Sequence, residues 1–153
     1  MLIVPGPENF IRLEVLKTGF LRGKKHVFEF PVYRGKGERN PNRYEITLDA
    51  RRIECKDDWL KPDDLKKVAA YAVKDMLDAE RYPEIVYKSE SGLLTIRGKS
   101  VPVGVAYRES LANVFEGEAT VDMRLFGLKP PTAALGTIGT EPWMKLSFKV
   151  RVV

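Results

Sequence analysis

The chain holds one cysteine and one histidine in 153 residues. A single cysteine, Cys55, excludes an internal disulfide and a Cys-rich metal site, and it fits a small strand residue in a reducing compartment. A single histidine, His26, leaves a zinc site short of its usual nitrogen and sulfur donors, so carboxylates would have to supply the rest. Any Ser-His-Asp triad would also depend on His26, and the sequence has no Gly-x-Ser-x-Gly elbow to present a serine to it. No metal and no cofactor is therefore expected. Long apolar runs are missing too, and none approaches the roughly 18 residues of a membrane-spanning helix. The opening Met-Leu-Ile-Val-Pro-Gly has neither the basic region nor the apolar stretch of a signal peptide, which leads to the expectation of a cytoplasmic chain. Gly98-Lys99-Ser100 resembles the end of a phosphate-binding loop. The earlier glycine position is Leu93, however, and a strand pattern follows instead of a helix, so the segment reads as a hairpin turn.

What is present is the balance of one globular domain, residues 1–153, with 44% apolar and 31% charged residues. A chain of this length removes roughly 68–70% of its unfolded surface from water. The net charge is +5, and its excess is local. Residues 10–56 carry 12 Lys/Arg against 6 Asp/Glu, while the remainder carries 14 against 15. The densest part is the Arg34–Arg43 stretch, Arg-Gly-Lys-Gly-Glu-Arg-Asn-Pro-Asn-Arg, which reads as a solvated hairpin end.

Strict alternation of apolar and polar residues dominates the rest, the signature of antiparallel sheet with one buried face. Ile11, Leu13 and Val15 share a face. So do His26, Phe28 and Phe30, then Tyr44, Ile46, Leu48 and Ala50, which together predict a long hairpin over about 24–50. Ile85, Tyr87 and Ser89 face the same way as Leu94 and Ile96 across a Glu-Ser-Gly turn. Further runs are Val101 to Tyr107, Phe115 to Met123, and Met144 to Val152, for eight strand candidates in all.

One segment has a different period. Leu65, Val68, Ala69, Ala72, Val73, Met76 and Leu77 form a stripe at helical spacing, with Pro62 suited to the first position and Asp63 and Asp64 to the first turn. The spacing predicts a helix over about 62–77, ending before Tyr82-Pro83. Eight antiparallel strands leave two unpaired edges unless the sheet closes. The expected fold is therefore mainly β, a closed eight-stranded antiparallel barrel with one amphipathic helix packed on it. A barrel of this size is either filled by side chains or holds one small apolar ligand.

Several stretches also resemble a known family. Asp75-Met-Leu-Asp-Ala-Glu-Arg-Tyr-Pro-Glu-Ile-Val-Tyr-Lys-Ser89 is similar to the stretch Met/Phe-Phe/Leu-Asp-x-x-x-Tyr-Pro-x-Ile-x-Phe-x-Ser of the YceI-type proteins, which are lipocalin-like and bind polyisoprenoids. Leu94-Thr-Ile-Arg-Gly-Lys-Ser-Val-Pro-Val103 resembles that family's next hairpin. Phe126-Gly-Leu-Lys-Pro-Pro131, followed by Leu135-Gly-Thr-Ile138, resembles a Phe-Gly loop of one branch, and Thr18-Gly-Phe-Leu21 with His26 and Phe28 resembles its first hairpin. The likeness spans about residues 10–152. Two departures stand beside it: common members carry a signal peptide, and their Arg-Asp-x-His-Leu-Arg segment is replaced here by the helix beginning at Pro62.

The resemblance implies a non-catalytic carrier of an apolar small molecule, an isoprenoid or fatty chain, inside the barrel. By alternation, the expected lining is Phe28, Phe30, Ile46, Leu48, Ile85, Tyr87, Ile96, Val103, Met123 and Phe148, with Met76, Leu77 and Phe126 closing one end. Ordinary core packing would place the same residues inward. Residues 125–142 are long and rich in Pro and Gly, which suggests a lid. Two other function classes fit the sequence: a protein or nucleic-acid interaction module working through the basic first third, and an enzyme for a small apolar substrate using His26, read as a strand residue at the barrel mouth, or Tyr87. Few aromatics interleave with the Lys/Arg cluster, which makes nucleic acid the poorer partner. A homodimer is compatible with the sequence.

Overall fold

The computed structural model describes residues 1–131 and 139–153. Among them, twelve strands form one antiparallel sheet: β1 (Leu2–Val4), β2 (Phe10–Lys17), β3 (Lys25–Glu29), β4 (Tyr33–Glu38), β5 (Arg43–Asp49), β6 (Glu54–Cys55), β7 (Glu84–Lys88), β8 (Leu93–Ile96), β9 (Lys99–Pro102), β10 (Ala106–Leu111), β11 (Val114–Asp122) and β12 (Thr140–Val152). The long β12 is the spine. One side of it carries β11 from Val114↔Arg151 to Asp122↔Trp143, with β10 beyond. Its other side is shared: β2 covers Thr140 to Lys149, and β1 covers the last residues through Ile3↔Val152. From β2 the sheet continues to β3 and β6, and from β1 to β4, β5, β7, β8 and β9.

The shared track has a simple cause. Pro5 and Pro7 cannot donate to a ladder, so the first track breaks between β1 and β2. Pro31 likewise lies in the break between β3 and β4. The hairpin expected over 24–50 is thus corrected. β3 pairs with β2 and β6, and the true hairpin is β4 with β5, in register from Tyr33↔Leu48 to Glu38↔Arg43. Arg34 and Lys36, expected in a loop, are strand residues. The positions that alternate with them, Gly35 and Gly37, carry no side chain. A Cβ on Gly35 would stand 2.7 Å from Ile3 Cδ1 and 3.0 Å from the Glu45 carbonyl oxygen, so the close approach of β1 and β5 requires glycine there.

The expected closed eight-stranded barrel is also corrected, both in strand number and in closure. Among the described residues the branched sheet ends at β6, β9 and β10, and β9 and β10 are not paired with each other. The strand expected over 101–107 changes neighbours midway. Up to Pro102 it lies on β8, and Val103 remains committed to that side because its N–H donates to the Gly92 carbonyl at 2.9 Å. From Ala106 onward it lies on β11. The sheet nevertheless curls around one core, since Ile11 of β2, Leu94 of β8 and Ala119 of β11 border a common space.

The helix α1 (Pro62–Tyr71) continues into a wider π-type turn, Ala72–Met76, marked by the Leu77 N–H reaching the Ala72 carbonyl at 2.9 Å. The apolar stripe does not bury evenly. No residue of α1 itself is fully buried, whereas Ala72, Met76, Leu77 and Ala79 are. The helix therefore plugs one end of the curled sheet with its final turn. Asp78 ends it with φ +47°, a conformation that Asp tolerates, and its carbonyl accepts from the Tyr82 N–H at 2.9 Å. Tyr82 then lies against Gly98, where a Cβ would stand 2.8 Å from the ring. The two most family-like stretches are thus in contact. Of the lid expected over 125–142, residues 132–138 lie outside the described residues, Leu135-Gly-Thr-Ile138 with them, while Phe126 and Leu128 are buried and Thr140 onward belongs to β12.

Candidate apolar ligand site

The inner face of the sheet divides by height. At the end plugged by the helix, Phe28 of β3 and Phe30 just beyond it meet Met76, Leu77, Ile96, Met123, Phe126 and Met144, all almost completely buried. This half is solid core. It contains seven of the expected lining residues, Phe28, Phe30, Met76, Leu77, Ile96, Met123 and Phe126, and none of these borders either of the two chambers in the other half.

The other half is hollow. An inner chamber, about 500 Å3 when counted together with the open solvent at its mouth, is bordered by Ile11, Tyr44, Ile46, Leu48, Ile85, Tyr87, Leu94, Val103, Val105, Ala119, Leu146 and Phe148. An outer chamber of about 470 Å3, counted with its mouth, is bordered by Ile3, Tyr44, Ile46, Tyr107, Phe115, Phe148, Val150 and Val152, with Glu38, Asn42 and Arg43 at the rim. Tyr44, Ile46 and Phe148 border both chambers and form the waist at which the two adjoin. Of the expected lining residues, Ile46 and Phe148 lie at that waist, and Leu48, Ile85, Tyr87 and Val103 lie in the inner chamber. Tyr44, Leu94, Tyr107 and Phe115 were not singled out, although Tyr44 and Tyr107 share the inward phase of their runs.

Small residues keep this half open. Gly35, Gly37, Gly117 and Ala119 sit where larger side chains would project inward. Gly117 pairs with Phe148, and a Cβ there would lie 2.5 Å from Phe148 Cζ, so the ring rests flat on bare backbone. Around the waist runs an aromatic series. Tyr44 and Tyr87 have centroids 5.8 Å apart, Tyr44 and Tyr107 meet edge to face at 5.3 Å, and Tyr107 and Phe115 are 6.2 Å apart. Few polar groups enter. The Tyr87 hydroxyl donates to the Val103 carbonyl at 3.3 Å, and burial pushes the Tyr44 and Tyr87 phenols above their ordinary range. Both phenols therefore stay neutral at physiological pH, and the charged side chains that border the chambers are Glu38 and Arg43 on the outer one.

The rim is tied across. Arg39, at the β4–β5 tip, donates to both carboxylate oxygens of Glu109 at 3.3 and 2.8 Å and to Asn113 at 3.3 Å, at the β10–β11 tip. Its guanidinium also lies 5.4 Å from the Phe115 ring centroid. Other cations of the basic first third are paired as well: Arg34 with Glu84 at 2.9 Å, Arg12 with Glu29 at 2.7 Å, and Arg43 with Glu38 and Glu90, each at 3.7 Å.

A separate polar cluster sits near the plugged end. His26 is buried there, not at a mouth as expected, and its Nδ1 lies 2.6 Å from Asp57 Oδ2. Asp57 is itself buried and accepts from the Val27 N–H at 2.5 Å. The Cys55 thiol faces the same carboxylate, and burial pushes it up to about 12, so it holds its proton. Burial lowers the Lys17 ammonium, although the Asp57 charge opposes this, and Lys17 Nζ donates to the Pro131 carbonyl at 3.0 Å. No local pattern in the sequence signals this cluster. The available clue was that a histidine in a buried strand phase needs a partner.

No curated protein matches the sequence. Among solved structures, the chain is similar to BcnA of Burkholderia cenocepacia, with a TM-score of 0.60 at 16% identity over 94% of this chain and 96% of that one. At that identity the likeness shows a shared fold. The model of the YceI-like domain matches residues 14–152, nearly the whole sheet and the helix with it, and the chain accordingly belongs to the YceI-like family.

Proposed function

We propose that this protein is a non-catalytic binding protein whose ligand is a long apolar chain, of isoprenoid or fatty type, lying in the passage formed by the two chambers. The observation that carries the reading is the passage itself: a hollow, almost wholly apolar half above a solid half within one core. A solid-core scaffold would have filled both. Each buried CH2 contributes about 0.8 kcal/mol, so a dozen of them give about 10 kcal/mol before ordering costs. Membership of the family supports the same class of ligand.

Two alternatives have less support. A catalytic role for His26 would need it to border the passage, and it borders neither chamber. Tyr87 does border the inner chamber, yet its hydroxyl is engaged with backbone and no base stands beside it among the described residues. A nucleic-acid surface on the first third is disfavoured because Arg12, Arg34, Arg39 and Arg43 face carboxylates. Native mass spectrometry of the purified chain, together with titration by a fluorescent fatty-acid probe, tests the proposal. The expected result is an apolar adduct, or saturable probe binding at one equivalent. No adduct and no saturable binding would overturn it.

A further inference from the structure

We propose that His26, Cys55 and Asp57 form a binding site for one divalent transition-metal ion of zinc's class, seated where β3 meets β6. The sole histidine and the sole cysteine of the chain lie 29 residues apart, yet both face one buried carboxylate, and their donor atoms all fall within 4.8 Å of one another. Imidazole nitrogen, thiolate sulfur and carboxylate oxygen are a donor set that zinc accepts, leaving a fourth position for water. The site differs from the ligand passage, neither of whose chambers any of the three residues borders.

The surroundings favour a fixed site. The Val27 N–H holds Asp57 Oδ1 and leaves Oδ2 toward His26. Trp59 lies over the imidazole, centroids 5.7 Å apart and planes tilted 32°, and its own Nε1 is anchored to the Lys25 carbonyl at 2.9 Å. Entry is from the β6 side, where this two-residue strand pairs only with β3 and Cys55 is only half-buried. Loading replaces hydrogen bonds with metal bonds. The His26–Asp57 contact opens from 2.6 Å to about 3.4 Å, the separation that two bonds near 2.1 Å impose at a tetrahedral angle. The Nδ1 proton moves to Nε2 by tautomer exchange, the thiol proton leaves to solvent, and thiolate plus carboxylate balance the dication. Lys17 works against loading, since its ammonium lies in the field of Asp57. A filled site would pin β6 and the connection into α1 onto β3, and so strengthen the plugged end without touching the passage.

The test uses the full chain after chelator treatment, titrated with Co2+ and with Zn2+. The expected result is a thiolate-to-cobalt charge-transfer band that saturates at one equivalent and is displaced by Zn2+. Affinity should fall at least tenfold in His26→Gln, and the band should be lost in Cys55→Ser. Lys17→Met should bind at least as tightly as the wild type, and Zn2+ should raise the melting temperature of the wild type and of Lys17→Met but not of Cys55→Ser. Absence of the band in the wild type at millimolar Co2+ would overturn the proposal, and this holds even if a variant fails to fold. So would an unchanged Zn2+ affinity in a folded Cys55→Ser.

Discussion

Ala119→Phe separates a hollow half from a solid one. Ala119 projects from β11 into the inner chamber, paired with Leu146 and facing Leu94 and Ile85 across the space. In a packed core, six added ring carbons force off-rotamer neighbours and cost about 1–3 kcal/mol. Here they enter the inner chamber, so unfolding in urea should show stability unchanged or raised. Binding should move the other way. If the ring excludes about half of a twelve-carbon tail, the loss is about 5 kcal/mol at 0.8 per CH2, which weakens the dissociation constant by three to four orders of magnitude. Paired urea curves and probe titrations read both quantities. Loss of 1–3 kcal/mol of stability together with unchanged probe affinity would refute the reasoning, because it would mean that the chamber is packed and the ligand lies elsewhere.

Three further outcomes follow from the same structure. Phe126→Ala, at the plugged end, should cost about 3–5 kcal/mol in urea unfolding while leaving probe affinity within a factor of a few. Gly98→Ala combines a φ of +74° with a Cβ 2.8 Å from the Tyr82 ring, and should lower stability by about 1–3 kcal/mol, read by thermal melting. Burial raises the Tyr44 phenol above its ordinary value near 10, so the folded chain keeps a proton that the unfolded chain loses. Stability should therefore fall as pH climbs above about 10, and Tyr44→Phe should flatten that fall.

Much of the sheet is legible in the sequence because alternation reports which side chains share a face. Ile11, Leu13 and Val15, or Leu94 and Ile96, face inward as their spacing predicts. Alternation fails where the inward positions hold no side chain, as at Gly35 and Gly37, and β4 was lost to a loop for that reason. It also misses strands of two or three residues, such as β1 and β6, which exist because β12 and β3 offer them an edge. The site is legible only in part. Phase tells that Phe28 and Phe148 both point inward, but not how far along the axis each lies or what stands opposite. Phe148 borders a cavity because Gly117 faces it, whereas Phe28 lies in the solid half with Phe30 and Met76. The meeting of His26 with Asp57 is a contact across 31 residues and has no local trace.

The most direct test of the central claim is a crystal structure with a terminally brominated long-chain fatty acid, located by the anomalous signal of the bromine. The account predicts a single bromine peak inside the inner chamber, among Tyr87, Leu94 and Ala119, with chain density running past Phe148 to the mouth between Arg43 and Tyr107. A peak only on the outer surface, or none at saturating ligand, would contradict it.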